Sequence, residues 1–254
     1  MNVGLCTISA KEREVEEVID LAADVGYDGV EIWGKDHVAD TDPERIGEAA
    51  ADAGLEIPTY GSYLRCGSEE FDDELSEELP IAEDLGSDMI RVWAGSQEYG
   101  DHDEGHWNQV VADLERVTEA ASDRGLSVTV EKHANTVTND LEGARRLIEA
   151  VDHESCGLNY QPGFSIPAAE LEREARALEA ISNQLHLQGT YERSGSERAP
   201  LAKVYYDLEA VLDPFSDFEG YANVEFVTQD RSYREAIAAD LETVRSLVGY
   251  SRSA

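Results

Sequence analysis

Basic residues are scarce in this chain. Lys and Arg number 20 against 55 Asp and Glu, and only four of the 20 are lysine: Lys11, Lys35, Lys132 and Lys203. The net charge is -35 over 254 residues. A surface of that sign repels a phosphate backbone and offers no basic groove, which excludes a nucleic-acid partner. The carboxylates are spread along most of the expected helices rather than gathered in a tail. At molar salt the Debye length falls to about 3 Å and such repulsion is screened. The charge is therefore expected to report a high-salt, halophilic habitat and to keep the chain soluble, not to describe its function.

Cysteine is sparse too. Cys6, Cys66 and Cys156 are scattered and odd in number, with neither a disulfide framework nor a zinc spacing, and read as small buried thiols. No apolar run approaches the roughly 18 residues of a membrane span, which excludes a membrane partner. The N-terminus enters a strand directly rather than a signal peptide, so the expected location is the cytoplasm. Glycine signatures for phosphate are missing as well: neither GxGxxG nor GxxxxGK[ST] follows any strand, which argues against an open nucleotide-binding sheet.

A regular alternation of strand and helix patterns is present instead. Short apolar runs at 2–8, 30–33, 57–60, 89–93, 126–130, 156–160, 184–187 and 222–227 read as strands. Amphipathic stretches at 11–26, 43–53, 73–85, 107–123, 139–151, 168–180, 206–212 and 233–248 read as helices. Gly54 and Gly86 follow two of them as stop signals. Strict alternation predicts a parallel sheet, and eight repeats predict closure. The expected fold is α/β, a single (β/α)8 TIM barrel spanning residues 1–254 with no linker.

In such a barrel, chemistry gathers where the strands exit. The stretch from Val128 to Phe164, VTVEKHANTVTNDLEGARRLIEAVDHESCGLNYQPGF, is one strand–helix–strand unit. It delivers Glu131 at the first strand exit and Gln161 at the second. Two later exits deliver His186 and Glu225. These four side chains pose the question of a shared metal ion.

The unit EKHANTVTNDLEGARRLIEAVDHESCGLNYQPGF, with the endings GYDGVEIW, NQLHLQ and GYANVEFV, resembles the xylose-isomerase-like barrel family. That family contains sugar isomerases and epimerases, metal-dependent dehydratases and endonuclease IV. The resemblance covers nearly the whole chain. It implies one divalent ion held by Glu, Asp, His and Glu from strands five to eight, here Glu131, Gln161, His186 and Glu225. Two positions depart from the pattern. Gln161 stands where Asp is expected, and Phe164 stands where many members carry His.

Hard ions such as Mn²⁺ or Mg²⁺ favour carboxylate oxygens and tolerate an imidazole, with Co²⁺ or Zn²⁺ as further candidates. By the resemblance, Glu131 and Glu225 are both metal ligands and the catalytic proton-transfer pair. An amide at Gln161 can still donate an oxygen but removes one negative charge. The ion with Glu131, Glu225 and a neutral His186 then carries net zero instead of minus one, so affinity is expected to fall. A barrel that kept its shape and lost its metal is the competing reading.

Further residues sit at or near strand exits. Arg91 and Trp93 alternate with Val92 and share a face. Arg91 could bind a substrate carboxylate or hydroxyl, or form a salt bridge to Glu31 or Glu131. Trp33, Tyr60, Tyr63 and Trp107 could wall a sugar ring or be ordinary core. His133 could touch substrate or hold its loop through backbone carbonyls. Arg193 lies in the loop after strand seven, where the family often places a substrate arginine, and Arg198 competes for that role. His102 and His106 read as exposed loop residues.

The leading expectation is a metal-dependent sugar isomerase or epimerase that moves a proton beside a carbonyl through an enediolate. A metal-dependent dehydratase of a keto-polyol or dehydroshikimate-like acid is the second. A non-catalytic barrel that binds a sugar or a partner protein is the third. Homo-oligomerisation is possible under all three, and no apolar helix face marks an interface.

Overall fold

The computed structural model describes residues 1–34, 36–39 and 41–248; Lys35, Asp40 and the last six residues of the expected domain lie outside them. Alternation along each strand builds the barrel. In β5 (Ser127–Glu131), Val128 and Val130 are 0% exposed beneath the helices, while Thr129 and Glu131 occupy the opposite, interior face. The other strands are β1 (Asn2–Cys6), β2 (Gly29–Trp33), β3 (Thr59–Cys66), β4 (Met89–Ala94), β6 (Cys156–Tyr160), β7 (Ser182–Leu187) and β8 (Tyr221–Val224). Each pairs in parallel with the next, and β8 pairs with β1, so the sheet closes in sequence order. This is a single (β/α)8 TIM barrel.

The outer layer consists of α1 (Val15–Val25), α2 (Asp36–Ala39), α3 (Pro43–Asp52), α4 (Phe71–Asp84), α5 (Glu104–Ser122), α6 (Leu141–Val151), α7 (Ala168–Leu178), α8 (Leu208–Leu212) and α9 (Tyr233–Leu247). Helix α6 shows why these segments are helical. Ala144, Leu147, Ile148 and Val151 recur at helical spacing and are buried. Full burial of a large aliphatic side chain contributes about 1.5–3 kcal/mol. Asp140 caps its N-terminus, its carboxylate accepting from the Gly143 N–H at 2.8 Å.

Several boundaries differ from the sequence reading for local reasons. A 3₁₀ turn at Thr7–Ala10 follows β1, so α1 starts at Val15 rather than residue 11. Strand β3 begins later and runs six residues further than expected, to Cys66. Helix α5 starts at Glu104 because the Asp103 side chain caps it by accepting from His106 N–H. The short helix α2 was not expected. Gly54 takes φ 75°, the left-handed conformation its stop role requires. All three cysteines are buried free thiols, as expected. Among the described residues, no helix is long and apolar enough to cross a membrane.

Candidate metal and active site

Interior positions at the strand exits collect polar and charged groups in place of the aliphatic residues that usually fill a barrel. Glu31 from β2, Arg91 from β4, Glu131 from β5, Asn159 from β6, Gln184 and His186 from β7 and Asn223 from β8 are 0–4% exposed. Gln161 lies one residue past β6 and Glu225 one past β8, at 5% and 7%. On β3, Gly61 makes room for the charged pair across from it: a Cβ there would lie 3.0 Å from Glu31 Oε1 and 3.4 Å from Arg91 Nη2.

Buried charges need partners, and Glu31, Arg91 and Glu131 find theirs in one another and in neighbouring amides. Glu31 Oε2 accepts from His186 Nε2 at 2.7 Å, Gln184 Nε2 at 2.8 Å and Asn223 Nδ2 at 3.0 Å. Its other oxygen lies 3.5 Å from Arg91 Nη1. Arg91 Nε lies 3.5 Å from Glu131 Oε2, which also accepts from Asn159 Nδ2 at 2.8 Å. With Nε2–H directed at Glu31, His186 turns Nδ1 to the opposite side. There it lies 3.7 Å from Glu131 Oε1 and 3.7 Å from Glu225 Oε2. His186 Nδ1 and Glu225 Oε2 are buried without a hydrogen-bond partner.

Burial pushes the Glu225 carboxyl up to about 7, against the pull of His186. Burial acts on Glu131 in the same sense, but Arg91 and His186 outweigh it and hold that carboxyl down at about 2. Glu31 is also lowered, because His186 and Arg91 outweigh its burial. Burial would lower His186, yet the carboxylates of Glu31, Glu131 and Glu225 and the Cys6 sulfur raise it well above the usual range. The two catalytic candidates thus sit in opposed electrostatic settings within one cluster.

Among the described residues, two groups place His, Cys or carboxylate ligand atoms within 4.8 Å of one another: Cys6, Glu31 and His186, and Glu131, His186 and Glu225. They are not equivalent. In the first, Glu31 Oε2 already takes three donors and the His186 N–H points at it, so positive hydrogens occupy the place of a cation. In the second, unpartnered buried atoms converge. Once the Nδ1 proton is displaced, the imidazole nitrogen and two carboxylates form a donor set that suits a divalent ion.

The structure sorts the remaining expected residues. Gln161 reaches this cluster, but its amide nitrogen donates to Glu131 Oε1 and to the Lys132 carbonyl, both at 2.7 Å. Its oxygen accepts from Gln188 Nε2 at 2.5 Å. Arg91 takes the salt-bridge alternative, to both Glu31 and Glu131. Trp33, Tyr63, Trp93 and His133 line the mouth. The Trp33 Nε1–H donates to Tyr63 Oη at 2.8 Å, Tyr63 stacks on Trp93 at 5.9 Å, and His133 meets Trp93 edge-on at 4.9 Å. The His133 Nδ1 also lies 2.7 Å from the Ala134 carbonyl.

Two expectations are corrected. Tyr60 is not at the mouth: strand alternation turns it outward, and its hydroxyl donates to Glu78 of α4 at 2.5 Å. Arg193 is exposed, whereas Arg198 from the same loop reaches back to the barrel. The Arg198 guanidinium lies over the rings of Phe226 at 4.2 Å and Phe164 at 4.8 Å and donates to Gln188 Oε1. His102 and His106 serve their loop, His106 Nε2 accepting from the Ser96 N–H.

Cavities flank the cluster at the strand exits. One of about 390 Å³ is bounded by His133, Gln161, Phe164 and Gln188, and one of about 540 Å³ by Trp33, Tyr63, Arg198 and Phe226. A wider cleft of about 660 Å³ lies at the other end of the barrel between α3 and α4, far from these groups. Asn159, Gln184, Gln188 and Asn223 were not singled out from the sequence, and Glu31 was named there only as a salt-bridge partner of Arg91. The signal was there: Gln184, His186 and Gln188 alternate in NQLHLQ, as Asn223 and Glu225 do in YANVEF.

A closed parallel barrel whose ionisable groups gather at the C-terminal strand ends has the architecture of (β/α)8 enzymes. The chain belongs to the xylose isomerase-like TIM barrel family, whose model matches residues 19–247. Members of this family commonly bind a divalent metal. A 3-dehydroshikimate dehydratase of Bacillus anthracis is 28% identical over 171 residues, a match spanning 63% of this chain and 61% of that protein. The structure of an L-ribulose 3-epimerase superposes with a TM-score of 0.80 at 17% identity, covering 98% of this chain and 94% of that one. The IOLI protein, crystallised with a zinc atom, superposes with a TM-score of 0.80 at 16% identity over 100% of both chains. At these identities the two structural likenesses establish the fold alone.

Proposed function

We propose that the protein is a divalent-metal-dependent sugar isomerase or epimerase that transfers a proton at a carbon next to a carbonyl. The observation that carries this reading is the convergence of Glu131, His186 and the unpartnered Glu225 Oε2 on one buried point. These three residues would hold the ion. When bound, it would supply Lewis-acid stabilisation of negative charge developing on a substrate oxygen. Glu131 and Glu225 are the carboxylates that remove and return the proton. Arg91 balances Glu31 and Glu131 from within the barrel. The rings of Trp33, Tyr63 and Trp93 offer flat apolar faces to a sugar ring, and His133 bounds the cavity where its hydroxyls would lie.

A second reading is supported by the Bacillus anthracis relative: dehydration of a dehydroshikimate-like acid. Such a substrate brings a carboxylate, and Arg198, which bounds one of the cavities at the mouth, is the cation placed to meet it. Arg91 is engaged by two protein carboxylates, and Lys132 by Glu174 at 3.2 Å. The two readings separate on a substrate panel assayed with Mn²⁺ in molar KCl. Deuterium exchange from solvent into a ketose, lost in Glu131→Gln, supports the isomerase or epimerase. Water loss from 3-dehydroshikimate with no ketose exchange overturns it in favour of the dehydratase.

A further inference from the structure

The orientation of Gln161 is fixed by a chain of donors that starts outside the barrel. Arginine can only donate hydrogen bonds. Because Arg198 Nη1 donates to Gln188, the Gln188 oxygen must face Arg198, and its NH₂ must face Gln161. The Gln161 oxygen therefore faces Gln188, and its NH₂ faces Glu131 Oε1 and the Lys132 carbonyl. Both far partners are acceptors only, so the pattern is consistent from either end. Reversing the Gln161 amide would set its oxygen 2.7 Å from a carboxylate and a carbonyl and oppose two NH₂ groups. Gln161 and Gln188 are 5% and 4% exposed, so protein partners supply most of their hydrogen bonds.

From this geometry we infer that Gln161 is a positioning residue and not a metal ligand: it donates to Glu131, and Arg198 and Gln188 hold it in that role. An ion in this barrel then has three protein ligands, Glu131, His186 and Glu225. A carboxylate at position 161 would repel Glu131 unless a cation lay between them, whereas the amide satisfies Glu131 without one. Arg198, clamped between Phe164 and Phe226, is the outer anchor. Phe164 thus helps fix the orientation of Gln161, three residues before it. The donor chain stands on its own; its consequence for the ion rests on the metal-dependent reading above.

Two measurements test it separately. In metal-free protein, the side-chain NH₂ protons of Gln161, assigned by their loss in Gln161→Ala, are expected to be protected from solvent exchange. Arg198→Ala should release them, speeding their exchange at least tenfold while backbone amides of β5 and β6 stay protected. Free exchange in the unaltered protein, or no change in Arg198→Ala, overturns the inference whether or not an ion binds. With Mn²⁺ added, water-proton relaxivity counts the exchangeable waters on the ion. That count is expected to be the same in Gln161→Ala as in the unaltered protein, while loss of the donor to Glu131 lowers affinity by up to about 10–100-fold. One added exchangeable water in Gln161→Ala would make Gln161 a ligand and overturn it. If no Mn²⁺ binds while the amide stays protected and Arg198→Ala releases it, the metal-dependent reading fails and the donor chain stands.

Discussion

His186 uses its two ring nitrogens for different partners: Nε2 lies 2.7 Å from Glu31 Oε2, and Nδ1 faces Glu131 and Glu225 at 3.7 Å. Glu31 thereby fixes both the rotation of the ring and the nitrogen left for an ion. Strand pairing places it there, since Glu31 sits beside Cys6 of β1 in register and Gln184 and Asn223 complete its donors.

Replacing Glu31 with Gln removes the charge and obliges an amide N–H to face one of these donors. Mn²⁺ affinity should fall about 10–100-fold, the usual cost of losing the group that orients a liganding histidine. Glu31→Asp, which keeps the charge, should recover part of that loss. Calorimetric titration gives the affinity, and the ¹⁵N shifts of His186 report which nitrogen carries the proton. Unchanged affinity and an unchanged tautomer would mean that Glu31 does not orient the ring.

Trp93 joins the aromatic wall, between Tyr63 and His133, with Arg91 and Arg65 over its ring. On the proposed isomerase or epimerase reading such a wall would hold the substrate equally before and during reaction, so its loss should appear in KM rather than kcat. Trp93→Ala is expected to raise KM for the preferred ketose about tenfold, or roughly 1.4 kcal/mol, with kcat within about threefold. Steady-state kinetics check this. A fall in kcat at constant KM would assign Trp93 to the chemical step.

Away from the site, Asp240 of α9 is 1% exposed; its Oδ1 accepts from the Leu201 N–H at 2.8 Å and its Oδ2 has no partner. Burial pushes this carboxyl up to about 6. The folded state therefore holds the proton more tightly than the unfolded chain, whose Asp titrates near 3.9. Stability from this group is fully present below about pH 4 and is lost as pH rises through about 6, by roughly 2–3 kcal/mol. Asp240→Asn keeps the acceptor and removes the charge. It should be more stable than the unaltered protein at pH 8 by about 1–3 kcal/mol, with the difference gone below pH 4. Urea unfolding across that range gives the answer, and a difference independent of pH would contradict it.

The fold was legible because every strand is a short apolar run followed by a helix with a clear inner face. Closure followed from counting. Glu131, His186 and Glu225 were legible as strand-exit residues, and their convergence depends only on barrel geometry. What stayed hidden depends on pairing across the barrel. Nothing local to GVEIW says that Glu31 meets a histidine from β7, 155 residues away. Tyr60 was misplaced because its strand was taken to end there, whereas β3 continues to Cys66 and carries Tyr63 at the mouth instead. Arg198 outcompetes Arg193 because two rings, Phe164 and Phe226, are placed to receive its guanidinium.

Calorimetric titration of Mn²⁺ into protein purified and stripped of metal in molar KCl tests the central claim most directly, with Glu225→Ala as the comparison. The account predicts one ion per chain for the unaltered protein, and at least a hundredfold weaker binding in a Glu225→Ala variant with the same circular dichroism spectrum. No heat with Mn²⁺, Mg²⁺, Co²⁺ or Zn²⁺, or equal binding by the two proteins, would contradict it and leave a barrel that binds its ligand without a metal.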